Sequence, residues 1–150
     1  MSASAAPLSQ TEADALFIMP ERAVLSKEVA YPDLGRRVSI DLLSIDGRES
    51  FNLDIGRSYV KLTRATYPTR ARSTVILARL DLEGTPHTNP DGTELPCPHL
   101  HLYRKGFGDK WAYSVPEAAF ADVEDRRRTL HDFMVYCVIK PVALRFDLLS

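Results

Sequence analysis

The residues best suited to chemistry lie in one run, Pro96-Cys-Pro-His-Leu-His-Leu-Tyr-Arg104. Its alternation predicts a strand, and alternate residues of a strand share a face. Cys97, His99, His101 and Tyr103 are therefore expected on one side, with Leu100 and Leu102 packed into the core. Three roles compete for that face. Two imidazoles with ordinary pKa values near about 6.5 can take and give a proton at neutral pH. With Arg104 holding developing phosphate charge, His99, His101, Tyr103 and Arg104 would form a catalytic set for cleaving RNA through its own 2′-hydroxyl, which needs no metal. Alternatively, His-x-His on a strand offers paired imidazole ligands, and Cys97, His87 or an acid of the preceding loop could complete a divalent-metal site. No HExxH or CxxC spacing supports that second role, so no cofactor is favoured. In the third role, the histidines hydrogen-bond within the sheet or to the loop before it. His131 is expected on a helix surface.

Phosphate recognition is the other chemistry on offer. Nineteen Lys+Arg against twenty Asp+Glu leave a formal charge of −1, which excludes both a polycation and an acidic mimic of DNA. Fourteen of the nineteen bases are arginines, the planar, permanently charged fork suited to phosphate. By segment the charge is −4 over 1–54, +6 over 55–80 and −3 over 81–150. The acid-free block supplies Arg57, Tyr59, Lys61, Arg64, Arg70 and Arg72 as an expected nucleic-acid-binding set, with Tyr59 and Tyr67 as stacking partners. The competing expectation is a solvated sheet face whose arginines pair with the acidic flanks. Arg126-Arg-Arg128 reads as ordinary helix-surface charge. Gly106-Phe-Gly-Asp109 lacks P-loop and dinucleotide spacing and is expected to be a hairpin turn. There is no Gly-x-Ser-x-Gly elbow, and neither cysteine has the partners of a nucleophile.

The elements that must position these residues follow from periodicity. Ser9-Gln-Thr-Glu12 is a capping box before a helix over 10–19, closed by Pro20. Val38, Ile40 and Leu42, the Asp46-Gly47 turn, then Phe51, Leu53 and Ile55 predict an antiparallel hairpin with one buried face. A third strand is expected over 57–63, with Val60 and Leu62 inward. Thr74 to Leu82 reads as a central strand buried on both sides. Residues 83–98, with four prolines, form a long loop of the kind that often carries function. The histidine strand pairs through the glycine turn with 110–115. Ser114-Val-Pro-Glu117 is a second capping box opening a helix to about Tyr136, and a short strand closes the chain. The expected fold is α+β: an N-terminal helix, a mostly antiparallel sheet of five to six strands, and a C-terminal helix packed on it. Residues 1–8 are expected to be a disordered tail and 9–150 one domain.

With 150 residues, 45% hydrophobic and 26% charged, the composition is that of a globular domain able to bury a real core. Met1 to Pro7 carries neither a basic n-region nor an apolar h-region, and no stretch approaches the ~18 apolar residues of a membrane span. A cytoplasmic protein with reduced thiols, making no membrane contact, is the expectation.

The run Cys97-Pro-His-Leu-His-Leu-Tyr-Arg-Lys-Gly-Phe-Gly-Asp-Lys-Trp-Ala112 resembles the core of a family of small bacterial and prophage-encoded proteins of unknown function. Ala78 to Leu82, Asn89-Pro-Asp-Gly92 and Phe133 to Cys137 belong to the same likeness, which covers most of the chain after residue 10. The resemblance implies carriage on mobile elements, where small toxins, immunity factors and inhibitors of host defence are common. A leading helix followed by an antiparallel meander is also similar to the small ribonuclease toxins related to barnase and RelE, an analogy of fold alone. Two functions are expected from these features. The first is a metal-independent, ribonuclease-like toxin acting on nucleic acid, with an antitoxin protein as a possible partner. The second is a non-catalytic binding protein, such as an anti-CRISPR-like inhibitor that docks on a host-defence complex.

Overall fold

In the computed structural model, residues 8–61 and 63–147 are described. Helix α1 (Gln10–Phe17) starts at Ser9, whose side chain accepts from the Glu12 amide at 3.1 Å while Glu12 reaches back to the cap. Leu8, expected in the tail, is buried in the core; the rest of that segment lies outside the described residues.

Two short strands, β1 (Glu21–Ala23) and β2 (Val29–Ala30), precede the hairpin of β3 (Arg37–Ser44) and β4 (Ser50–Arg57). The hairpin forms as its period-two pattern requires, with Ile40 opposite Leu53 and Leu42 opposite Phe51, and Gly47 takes φ +74° in the turn. The next strand departs from expectation. Residues 58–61, 63 and 64 lie outside any strand, with Tyr59 81% and Val60 90% exposed, and Leu62 lies outside the described residues. The strand is instead β5 (Ala65–Ala71). Pro68, which lacks the N–H of a ladder donor, sits within it opposite Arg79, beside a register shift at Thr69/Arg70. Ala65, Tyr67, Thr69 and Ala71 alternate inward with exposures of 3% or less, and the strand forms despite the proline.

Strand β6 (Val75–Asp81) is not buried on both sides: Leu80 faces the core, whereas Arg79 and Asp81 face the other way and are only half-buried. After a small hairpin whose strands, β7 (His87–Thr88) and β8 (Glu94–Leu95), have two residues each, come β9 (His99–Leu102) and β10 (Ala112–Ser114). Together β1, β3, β4, β5, β6, β9 and β10 form one seven-stranded sheet in that order, antiparallel throughout.

The second helix is shorter than its capping box suggested. Ser114 is consumed by the ladder opposite His99, and Pro116 opens only a turn. Helix α2 (Arg126–Tyr136) begins at Asp125, whose carboxylate accepts from the Arg128 amide. Its Leu130, Phe133 and Met134 pack on the apolar sheet face of Leu53, Ile55, Tyr67, Leu80 and Leu100. The fold is α+β, with one sheet face covered by the helices and the other left polar. Strand β11 (Leu144–Arg145) pairs in parallel with β2. No helix among the described residues is long and apolar enough to cross a membrane.

Candidate functional site

The polar face of the sheet carries the site. Register sets Asp81 opposite His99 and Arg79 opposite His101 on the β6–β9 ladder, with Thr66 of β5 on the far side of Asp81. The other four side chains converge on Asp81. Asp81 Oδ2 is 3.3 Å from Nε2 of both His99 and His101. Thr66 donates to Asp81 Oδ1 at 2.6 Å. Arg79 grips Asp81 through Nε and Nη2 at 3.1 and 3.3 Å, Asp109 through Nη1 at 2.7 Å, and reaches His101 Nε2 at 3.0 Å.

Backbone carbonyls orient the rings. His101 Nδ1 lies 2.7 Å from the Asp109 carbonyl and His87 Nε2 lies 2.7 Å from that of Lys110. A carbonyl only accepts, so both nitrogens carry protons. His101 therefore has two partner sets: as a neutral ring its Nε2 accepts from Arg79, and as an imidazolium it donates to Asp81. His99 Nδ1 is 3.3 Å from the Pro96 carbonyl and 3.5 Å from Cys97 Sγ. The Cys97–Pro98 peptide is cis.

The proline-rich loop closes over this strand. Asn89 is buried and bonds both backbone groups of Ala112, donating to its carbonyl at 3.0 Å and accepting from its amide at 2.8 Å. That two-point bond extends the β10 edge and brings His87 in, its ring centroid 4.5 Å from that of His101 and 5.7 Å from that of His99.

Burial tilts the electrostatics. For Asp81, burial would raise the carboxyl, but the bonds from His101 and Thr66 and the charge of Arg79 outweigh it and hold it well below the usual carboxylate range. Burial pushes His99 below the ordinary imidazole value despite the attraction of Asp81. It also pushes the Cys97 thiol up, away from a reactive thiolate.

Of the expected catalytic set, His99 and His101 stand side by side and buried, with side-chain exposures of 3% and 0%. Tyr103 is not beside them; its hydroxyl donates to the Leu8 carbonyl at 2.7 Å and ties the N-terminal segment to the sheet. Arg104 sits in the β9–β10 turn with its guanidinium over the Trp111 ring at 4.3 Å. Of the possible metal ligands, His99 and His101 are joined by Asp81, their ligand atoms all within 4.8 Å of one another, a grouping that could hold an ion. Asp81 was missed because only strand pairing brings it there. Its signal was Arg79-x-Asp81, a polar pair at strand spacing in an otherwise apolar strand, matching His99-x-His101.

Beside this network a groove of about 910 Å³ crosses the polar face. Six arginines line it, Arg36, Arg37, Arg57, Arg64, Arg70 and Arg79, against Asp54, Asp81 and Glu83. The expected basic set divides here. Arg70 is bidentate to Asp54 at 2.7 and 3.0 Å, Arg72 bonds Glu49 at 3.0 Å, and Lys61 bonds Glu83 at 2.9 Å. These three are paired with acids, as the competing expectation had it. Arg57 is buried, donating to the Pro32 carbonyl at 2.9 Å with its guanidinium over the Tyr31 ring. Tyr67 is a core residue, its hydroxyl 2.7 Å from that of Tyr31. Arg64 and Arg36 are different: both are exposed at the groove, and neither has a carboxylate within ion-pair distance among the described residues. Arg64 lies on Gly84, where a Cβ would stand 2.9 Å from its Nε. Exposed Tyr59 packs on Gly35 at the rim, where a Cβ would stand 2.2 Å from the ring.

Comparison with known proteins adds a family and no activity. None of the curated proteins or solved structures matches the chain. A model described as a family of unknown function, DUF6978, matches residues 8–139, which takes in α1, the whole seven-stranded sheet and α2. The chain belongs to that family of unknown function.

Proposed function

We propose that the protein binds single-stranded nucleic acid along the polar face of its sheet, as a binding protein with no proton-transfer chemistry of its own. The observation that carries this reading is the pair of exposed arginines, Arg36 and Arg64, that enter the groove without an acid partner among the described residues. Three other groove cations are already paired with acids, Arg37 and Arg70 with Asp54 and Arg79 with Asp81 and Asp109, and Arg57 is buried. Unpaired guanidinium groups suit phosphate oxygens, and an exposed tyrosine at the rim offers a base a face on which to stack. An open, half-polar groove fits an extended strand better than a duplex, whose grooves demand an inserted helix or ribbon. Sequence recognition is not required by this arrangement, since phosphate contacts position a strand and do not read it.

A binding role also fits the mobile-element setting that the 97–112 run implies, where occupying a nucleic acid can matter as much as cutting it. The test is direct titration of fluorescently labelled RNA and DNA oligonucleotides, single-stranded and duplex, at low salt. Saturable binding with preference for single strands is the expected result. Absence of binding to all four would overturn the proposal and leave the groove to a protein partner.

A further inference from the structure

Asp81, His99 and His101 offer two imidazoles and one carboxylate, a nitrogen-and-oxygen donor set that suits zinc and its first-row neighbours better than calcium or magnesium. Their orientation is already that of ligands. In metal sites the non-ligating ring nitrogen is held by a carbonyl or carboxylate, and here His101 Nδ1 meets the Asp109 carbonyl while His99 Nδ1 meets that of Pro96. Each ring then turns Nε2 toward the same oxygen, Asp81 Oδ2, at 3.3 Å. Tetrahedral bonds of 2.0–2.1 Å place neighbouring ligand atoms about 3.3 Å apart, so two of the three edges are at ligand spacing. The third closes by side-chain rotation, since all three ligand atoms lie within 4.8 Å. His87 is a further imidazole beside them, its Nε2 on the Lys110 carbonyl and its ring centroid 4.5 Å from that of His101.

With both rings as neutral Nδ1–H tautomers, two imidazole lone pairs would face one carboxylate oxygen, an arrangement that a cation holds together. Arg79 fills that place, with Nη2 3.0 Å from His101 Nε2 and two contacts to Asp81. Its Nη1 also holds Asp109 at 2.7 Å, so a metal that displaced it from Asp81 and His101 would not strand the guanidinium. We infer that Asp81, His99 and His101 bind one divalent transition-metal ion of the zinc class, in competition with the Arg79 guanidinium. This site stands independently of nucleic-acid binding in the groove and can fail without it.

The experiment is titration of the untagged full chain with cobalt(II), read by its visible ligand-field absorption, followed by displacement with zinc. One saturating equivalent is expected, with bands of four- or five-coordinate nitrogen and oxygen ligation that zinc abolishes. Arg79→Met should bind at least tenfold tighter, and His131→Ala should match the parent chain. Because the histidines are buried and their variants can misfold, imidazole nitrogen NMR of the unaltered chain supplies the second reading: zinc should shift Nε2 of His99 and His101 and leave His131 in place. No saturable cobalt binding, unshifted His99 and His101, or an Arg79→Met variant that binds no better would each overturn the inference.

Discussion

Arg79 and His101 face one another directly across the β6–β9 ladder, with Arg79 Nη2 3.0 Å from His101 Nε2. The contact is possible only for a ring whose Nε2 is unprotonated, and the Asp109 carbonyl at Nδ1 selects that tautomer. In the neutral ring the proton therefore sits on Nδ1, and the imidazolium would instead donate from Nε2 to Asp81.

Arg79 is consequently a structural keystone of the polar face. Arg79→Ala leaves Asp81 without its main counter-charge and Asp109 without its side-chain partner. Because these groups are about a quarter exposed, the expected loss is about 1–3 kcal/mol, below that of a fully buried pair. Arg79→Lys keeps the charge without the fork and should recover less than half of the loss. Urea unfolding of both variants checks this, and an unchanged midpoint for Arg79→Ala would contradict it.

The opposite side of the molecule holds a pH-dependent element. Glu21 is 3% exposed, its Oε1 has no hydrogen-bond partner among the described residues, and burial raises its carboxyl to about 8. The folded state therefore holds a proton that the unfolded chain releases near the ordinary value of about 4.5. The contribution of Glu21 to stability is complete below pH 4.5 and falls as pH rises toward 8, by roughly 3–5 kcal/mol. Glu21→Gln should remove most of that slope, leaving stability near neutral pH higher than in the parent. Parallel unfolding curves at pH 5 and pH 8.5 make the comparison, and equal slopes in the two proteins would be the contrary outcome.

Tyr31 and Tyr67 form a buried hydroxyl pair at 2.7 Å. Either single change to Phe strands the other hydroxyl and should cost about 1–3 kcal/mol, whereas the double change removes both groups and should cost less than the sum. A double-mutant cycle with additive losses would show that the pair does not act as one unit.

How much of this could be read from the residues varies by element. The β3–β4 hairpin was legible because Val38 to Ile55 alternates cleanly about Asp46-Gly47, and α1 because Ser9 and Glu12 form a complete cap. Strand β5 was hidden by Pro68 and by polar residues on its outer face, so the expected strand was placed one loop too early. The histidine strand was placed correctly, and His87 joined it as expected of the loop. What local pattern could not supply was register and cover. Asp81 meets His99 only because β6 neighbours β9, and the loop that brings His87 against the rings is fastened to Ala112 by Asn89. The basic block was a feature of the chain whose meaning depended on pairing. Acids from β4, from the β3–β4 turn and from the loop after β6 neutralise Arg70, Arg72 and Lys61 and leave Arg64, like Arg36 from outside the block, at the groove without an ion-pair partner among the described residues.

The central claim is that Arg36 and Arg64 carry nucleic-acid binding. The most direct measurement is the salt dependence of anisotropy titrations with a single-stranded oligonucleotide, comparing the parent chain with Arg36→Gln/Arg64→Gln and with Arg128→Gln on the surface of α2. Loss of two phosphate contacts should weaken binding at least tenfold and flatten the log–log salt slope by about 1.4, while Arg128→Gln leaves both unchanged. An affinity and slope that are the same in all three proteins would contradict the account.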